Sequence, residues 1–158
     1  MTDQAPLQEE AALRSVRVER ADLFEELVRL EHALAAPLPG RIPAWSATLH
    51  EALVDLAAAF ERHIAVNEGP NGLFAGIRDA APRLDGELTR LTREHADVRN
   101  ELAAALSTIR EVESSGDPDA ALEAREQVTA LLVKLTRHRQ HGADLVWEAY
   151  AVDIGVGD

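Results

Sequence analysis

Three clusters of proline and glycine interrupt an otherwise helix-compatible chain of 158 residues: PLPGRIP after Ala36, GPNG after Glu68, and SSGDP from Ser114. Proline lacks an amide donor and clashes with the preceding turn, so no helix runs through these clusters. Between them, apolar residues recur at spacings of three and four, the mark of a helix with one buried stripe. The first segment, about Leu7 to Ala36, carries Leu13, Val16, Leu23, Leu27, Leu30 and Leu34. A second, starting near Pro43, carries Leu49, Leu53, Leu56, Phe60 and Ile64. After a shorter helical piece, LFAGIRDAA, that stops at Pro82, the third carries Leu84, Leu88, Leu91, Val98, Leu102 and Leu106. The fourth begins near Asp119 with Val128, Leu131, Leu132 and Leu135, and continues through LVWEAYAVDI. Four amphipathic helices with short connections bury their stripes against one another, so the expected fold is all-α, an antiparallel up-down four-helix bundle.

Length and composition narrow the function. The chain suits a single domain over residues 1–158, with residues 1–10 expected to fray. There is no cysteine, which excludes thiolate metal sites, disulfides and thiol nucleophiles; any metal site must use nitrogen and oxygen donors. A formal charge of -12 repels nucleic acid and anionic lipid headgroups, so neither is an expected partner. MTDQAPLQEE lacks the basic and apolar regions of a secretory signal, and no apolar run approaches the roughly 18 residues of a membrane span. A cytoplasmic location is the expectation. No phosphate loop, GxGxxG or Ser-His-Asp order stands out.

Chemistry is concentrated in three histidines. At about 100° per residue, His95 shares a stripe with Leu88, Leu91, Val98 and Leu102. His63 falls between Phe60 and Asn67 on the inner side of its helix, and His138 aligns with Leu131, Leu135, Leu145 and Ala149. Reflected through the turn near Gly116, His138 lands close to His95. His63 joins that level if LFAGIRDAA extends the second helix past a bend. Reflection of His32 through Gly40 leads instead to His50, which assigns both to the other end and to the surface. An inward imidazole is either a core histidine bonded to a carbonyl or carboxylate, or a metal ligand.

The helix-two ending HIAVNEGPNGLF, the helix-three LTREHADV and the closing HRQHGADLVWEAYAVDIGVGD resemble the hemerythrin-like (HHE cation-binding) superfamily, more narrowly small actinobacterial proteins carrying that domain. The resemblance runs from about Trp45 onward, with a weaker match in LEHALAAPLPGR. It implies a bundle holding two non-haem irons through histidine and carboxylate ligands for dioxygen binding, storage, sensing or oxidation, with His63, His95 and His138 as the histidines of helices two, three and four. Three positions depart from the family pattern: Asn67 stands where a glutamate is expected, Arg99 where a second histidine follows His95, and Ala143 where a bridging aspartate follows His138.

What remains suits one ion, such as Fe(II), Zn(II) or Mn(II), held by His63, His95, His138 and Glu68. Glu68 joins on condition that Gly69-Pro70 turns it inward, since ideal spacing sets it about 140° from His63. The expected cofactor is therefore non-haem iron, one or two ions, and the expected partner is dioxygen or a small oxidant, with an oxygen-dependent oxidase as a variant. The competing reading is a metal-free bundle acting as a binding or structural module, a homodimer included, in which Arg99 replaces the metal's charge and pairs with Glu68 or Asp144. Whether the chain is an enzyme stays open at this point. His138, His141 and Glu148 form a weaker constellation that reads as a solvated face. Trp45, Trp147 and Tyr150 read as seals for the bundle end, and Glu31 as an interior or partner-facing carboxylate of helix one.

Overall fold

The computed structural model describes residues 5–151. Four long helices carry the fold, α1 (Ala5–Ala35), α2 (Ile42–Glu68), α4 (Asp85–Ser115) and α5 (Pro118–Ala151), and a short helix α3 (Leu73–Ala80) lies between α2 and α4. A 3-10 turn over Pro82–Leu84 leads into α4. The helix boundaries fall at the breakers. α1 begins at Ala5, so it reaches into the stretch expected to fray; residues 1–4 and 152–158 lie outside the described part.

Local chemistry explains the ends. Gly116 adopts the left-handed conformation at φ 63° and its amide donates to the Val112 carbonyl, closing α4; glycine enters this region without a Cβ penalty. One residue on, the Asp117 carboxylate accepts from the Asp119 amide and caps the start of α5. At the other end, Gly72 is packed so closely against the last turn of α2 that a Cβ would lie 2.7 Å from the carbonyl oxygens of Val66 and Asn67. The bend after Glu68 is thus a tight backbone turn, and α3 is a separate helix rather than an extension of α2.

Cross-helix pairs fix the topology. Glu19 meets His63 and Arg29 meets Asp55 between α1 and α2; Glu61 meets Arg99 and Glu68 meets His95 between α2 and α4; Glu94 meets His138 and Glu101 meets Lys134 between α4 and α5. In every case the numbers run in opposite directions, so the four helices form an up-down ring in the order α1, α2, α4, α5. α3 packs on α1, α2 and α5 and closes one end of that ring. Among the described residues, no helix is long and apolar enough to cross a membrane.

The core is divided. One apolar cluster fills the middle and the end where α1 turns into α2, with Leu30, Leu49, Leu53, Leu56, Ile109 and Val128 fully buried. Each such side chain stabilises the fold by about 1.5–3 kcal/mol through removal from water. A second cluster, including Ile77, Leu88 and Leu91, joins α3 to the opposite end. The inward histidines are buried where the two clusters meet, between Phe60 of the first and Phe74 of the second.

Candidate metal centre

The same 3.6-residue periodicity that buries leucines carries His63, His95 and His138 inward on α2, α4 and α5, where they are 9%, 1% and 3% exposed. Antiparallel packing then brings them to one level. Their ring centroids are 5.0 Å (His63–His95), 5.3 Å (His63–His138) and 4.8 Å (His95–His138) apart. Phe60 lies 5.6 to 6.0 Å from all three rings, and Phe74 of α3 stacks on His95 with the ring planes 2° apart.

Each ring is oriented by a carboxylate of the preceding helix in the ring. His63 Nδ1 pairs with Glu19 of α1 at 2.7 Å, His95 Nδ1 with Glu68 of α2 at 2.5 Å, and His138 Nδ1 with Glu94 of α4 at 2.8 Å. An ionised carboxylate only accepts, so Nδ1 carries the proton and Nε2 keeps its lone pair. The Nε2 atoms of His63 and His138 face each other at 3.2 Å. One ring nitrogen from each of the three histidines lies within 4.8 Å of the others, and His95 Nε2 is buried with no hydrogen-bond partner among the described residues.

Lone pairs converging in this way are repulsive, and a buried acceptor without a donor costs about 1–3 kcal/mol. A cation removes both penalties. Metal–imidazole bonds of about 2.0–2.1 Å allow two nitrogens on one ion to lie roughly 3 to 3.4 Å apart, which includes the His63–His138 separation. Carboxylate–histidine pairs of this type set the tautomer and raise the basicity of a metal-binding ring. The His63 and His138 nitrogens thus have the spacing of two donors on one divalent cation, and His95 adds a third nitrogen donor within 4.8 Å.

Protonation states agree. Burial pushes the His95 imidazole down to about 3, with His138, His63 and Arg99 adding in the same direction. Burial also lowers His138, against the opposing pull of its bond to Glu94. Both rings are neutral at pH 7, the form in which imidazole binds a metal. Burial raises the Glu68 carboxyl, against the pull of Arg99 and His63.

The residues singled out in the sequence divide into those the fold brings together and those it does not. Glu68 reaches the centre at the outer nitrogen of His95, not among the converging Nε2 atoms, and its side chain stays 31% exposed. Asn67 is buried and donates its side-chain amide to the His63 carbonyl, an i to i+4 contact within α2. Ala143 is exposed on α5. His32 is exposed, and His50 pairs with Glu113 at the other end of the bundle. His141 is half-exposed and lies 3.5 Å from Glu94; Glu148 is exposed, and its carbonyl accepts from Arg83.

Three expectations are corrected. Arg99 does not enter the interior to replace a metal's charge: it turns outward and forms a two-pronged ion pair with Glu61 at 2.6 and 2.8 Å, which holds Glu61 below the ordinary carboxylate range. Of the two readings of Glu31, the interior one is overturned: Glu31 is exposed, and the buried carboxylate of α1 among the described residues is Glu19. Trp45 is buried beneath the Arg125 guanidinium, but Trp147 is 74% exposed rather than packed into the bundle end.

The residues missed are Glu19 and Glu94. Glu19 sits between Val16 and Leu23 at spacings of three and four, a carboxylate in an apolar stripe, and that was the available signal. Glu94 gave none, because its neighbour His95 is the inward residue and Glu94 lies at the helix edge facing α5.

No curated protein and no solved structure matches the chain. A family model, the hemerythrin HHE cation-binding domain, matches residues 12–141, a span that includes all three histidines and their three carboxylates. The chain belongs to the hemerythrin HHE cation-binding domain family.

Proposed function

We propose that this bundle binds a single non-haem metal ion, iron first among the candidates, through His63, His95 and His138, and that it interacts with dioxygen or a related small oxidant. The observation that carries this reading is the approach of one ring nitrogen from each histidine to within 4.8 Å of the others, the Nε2 atoms of His63 and His138 to 3.2 Å, while all three Nδ1 atoms are held by carboxylates. A count of one rests on the departures: neither Asn67 nor Ala143 supplies the acid oxygens that a second ion would share with the first. A bound redox-active ion would supply the electrons for dioxygen or oxidant chemistry, since three protein donors leave room for a small molecule.

The chain's own part is to hold the site ready. Glu19, Glu68 and Glu94 keep the three rings in one tautomer, Phe60 and Phe74 wall them against bulk water, and α3 covers the end. Glu68 acts chiefly as the positioning group of His95.

Metal analysis and an optical spectrum of protein purified after iron-supplemented growth test the reading. About one equivalent per chain is expected from the single cluster of three imidazoles, and it should be lost when His63, His95 and His138 are all replaced by Ala. Two equivalents would overturn the single-ion count. Far less than one equivalent of any divalent metal, before and after add-back, would overturn the metal reading and return the chain to a metal-free binding or structural module.

A further inference from the structure

The histidine cluster is one wall of a cavity of about 180 Å³. Ten of its lining residues are buried, among them the three histidines, Asn67, Leu73 and Phe74; the partly or fully exposed ones are Arg20 on α1 and Arg139, Gly142, Ala143 and Val146 on α5. This partition places the mouth on the seam between α1 and α5. Gly142 and Ala143 keep that seam open because neither carries a side chain long enough to cross it.

Charge at the mouth is one-sided. In a chain with 28 acidic and 16 basic residues, the charged side chains lining the cavity, among the described residues, are two arginines and no carboxylate. Glu19, Glu68 and Glu94 all sit behind the imidazoles. Neither Arg20 nor Arg139 forms an ion pair among the described residues: Arg20 donates to the Gly142 carbonyl at 3.4 Å, and Arg139 lies over the Phe24 ring at 4.8 Å. Burial lowers the Arg20 guanidinium, the neighbouring Glu19 pulls it back up, and Arg139 lies near enough to repel it. Two cations at the rim of a cleft with apolar walls, neither bridged directly to a carboxylate among the described residues, focus their field into it and draw in an anion.

We infer that this cavity binds a short-chain organic monocarboxylate, with its carboxylate at Arg20 and Arg139 and its apolar part along Leu23, Leu73 and Leu145. The guanidinium fork matches the two oxygens of a carboxylate, and the apolar wall gives a short alkyl group a surface to bury. This deepens the proposed function by naming the class of molecule admitted beside the histidines, but binding itself requires no metal.

The test uses the full chain in both its as-purified and chelator-treated forms, titrated with sodium propionate and followed through the imidazole carbon-bound proton signals and by calorimetry. Saturable binding is expected in the chelator-treated protein, with no response to propionamide or to sodium chloride at equal ionic strength. Arg139→Gln should weaken propionate about tenfold, the loss of a charge-assisted hydrogen bond, with an unchanged circular dichroism spectrum. Arg20→Gln is the second variant and should act in the same direction. Equal responses to propionate and chloride, no saturation, or full binding by the double variant would overturn the inference. Saturable binding of nitrite but not propionate would assign the cavity to an inorganic anion and overturn the organic-acid assignment. Because the chelator-treated arm is independent of metal content, its failure leaves the metal reading standing, and the reverse also holds.

Discussion

The two ends of this bundle contain the same chemical pair in different surroundings. At the end where α1 turns into α2, His50 Nδ1 meets Glu113 at 2.9 Å with both side chains roughly a quarter to a third exposed. At the other, His138 Nδ1 meets Glu94 at 2.8 Å with the imidazole 4% exposed. The first pair is a rim contact of the kind that contributes little. The second leaves its remaining ring nitrogen facing another imidazole in a site walled by phenylalanine. A histidine–carboxylate pair therefore carries no functional meaning by itself; what the opposite nitrogen meets decides it.

The two ends should respond differently to four perturbations. Leu49→Ala, in the apolar end, should lower unfolding free energy by about 2–5 kcal/mol in urea titrations while metal stoichiometry stays unchanged. If metal content fell with it, the two ends would not be separable. Glu19→Gln should weaken metal binding about 10–100-fold, and Glu113→Gln should leave it unaltered; competition against a chromophoric chelator measures both. An equal response to the two substitutions would remove the distinction between centre and rim.

Acid should expose the same asymmetry in the metal-free protein. His95 has a folded pKa of about 3, below its ordinary 6.5, so the unfolded chain takes up the proton first. Its contribution to stability is complete above pH 6.5 and is lost as pH falls toward 3. Between pH 7 and pH 5 the loss is roughly 2 kcal/mol, and His138 acts in the same direction. Glu68, raised by burial, works the other way and offsets part of the loss at the acid end. Chemical unfolding at several pH values checks this, and His95→Leu should flatten the slope. The same variant should unfold no more easily than the parent metal-free protein at pH 7, because it removes a buried acceptor that has no donor. The smallest effect belongs to Arg99→Ala, which should change neither metal content nor the pH profile, since its guanidinium points away from the centre toward Glu61.

Much of the site was readable in advance because it depends on local periodicity. His63, His95 and His138 each fall on an apolar stripe, and a stripe is a property of one helix. Glu19 lies at the depth of His63 by the same symmetry: reflected through Gly40, His63 lands on Arg17, within one turn of the carboxylate that bonds it. Partners across helices were harder. Glu94, the outward turn of Arg99 and the exposure of Trp147 depend on rotamer and on how neighbouring helices cross, to which spacing along one chain is insensitive.

Hydrogen-bond periodicity and proline or glycine chemistry act over a few residues, so the four long helices, their breaks and the inward direction of three imidazoles are written in the local amino-acid pattern. Packing between helices set the rest: α3 folds back as a separate cap with Phe74 on His95, each imidazole is held by a carboxylate from the neighbouring helix, and two arginines flank the seam that leads to them. Those outcomes depend on contacts between residues that are mostly 27 to more than a hundred positions apart. Their geometry follows from packing of whole helices, which no local window contains.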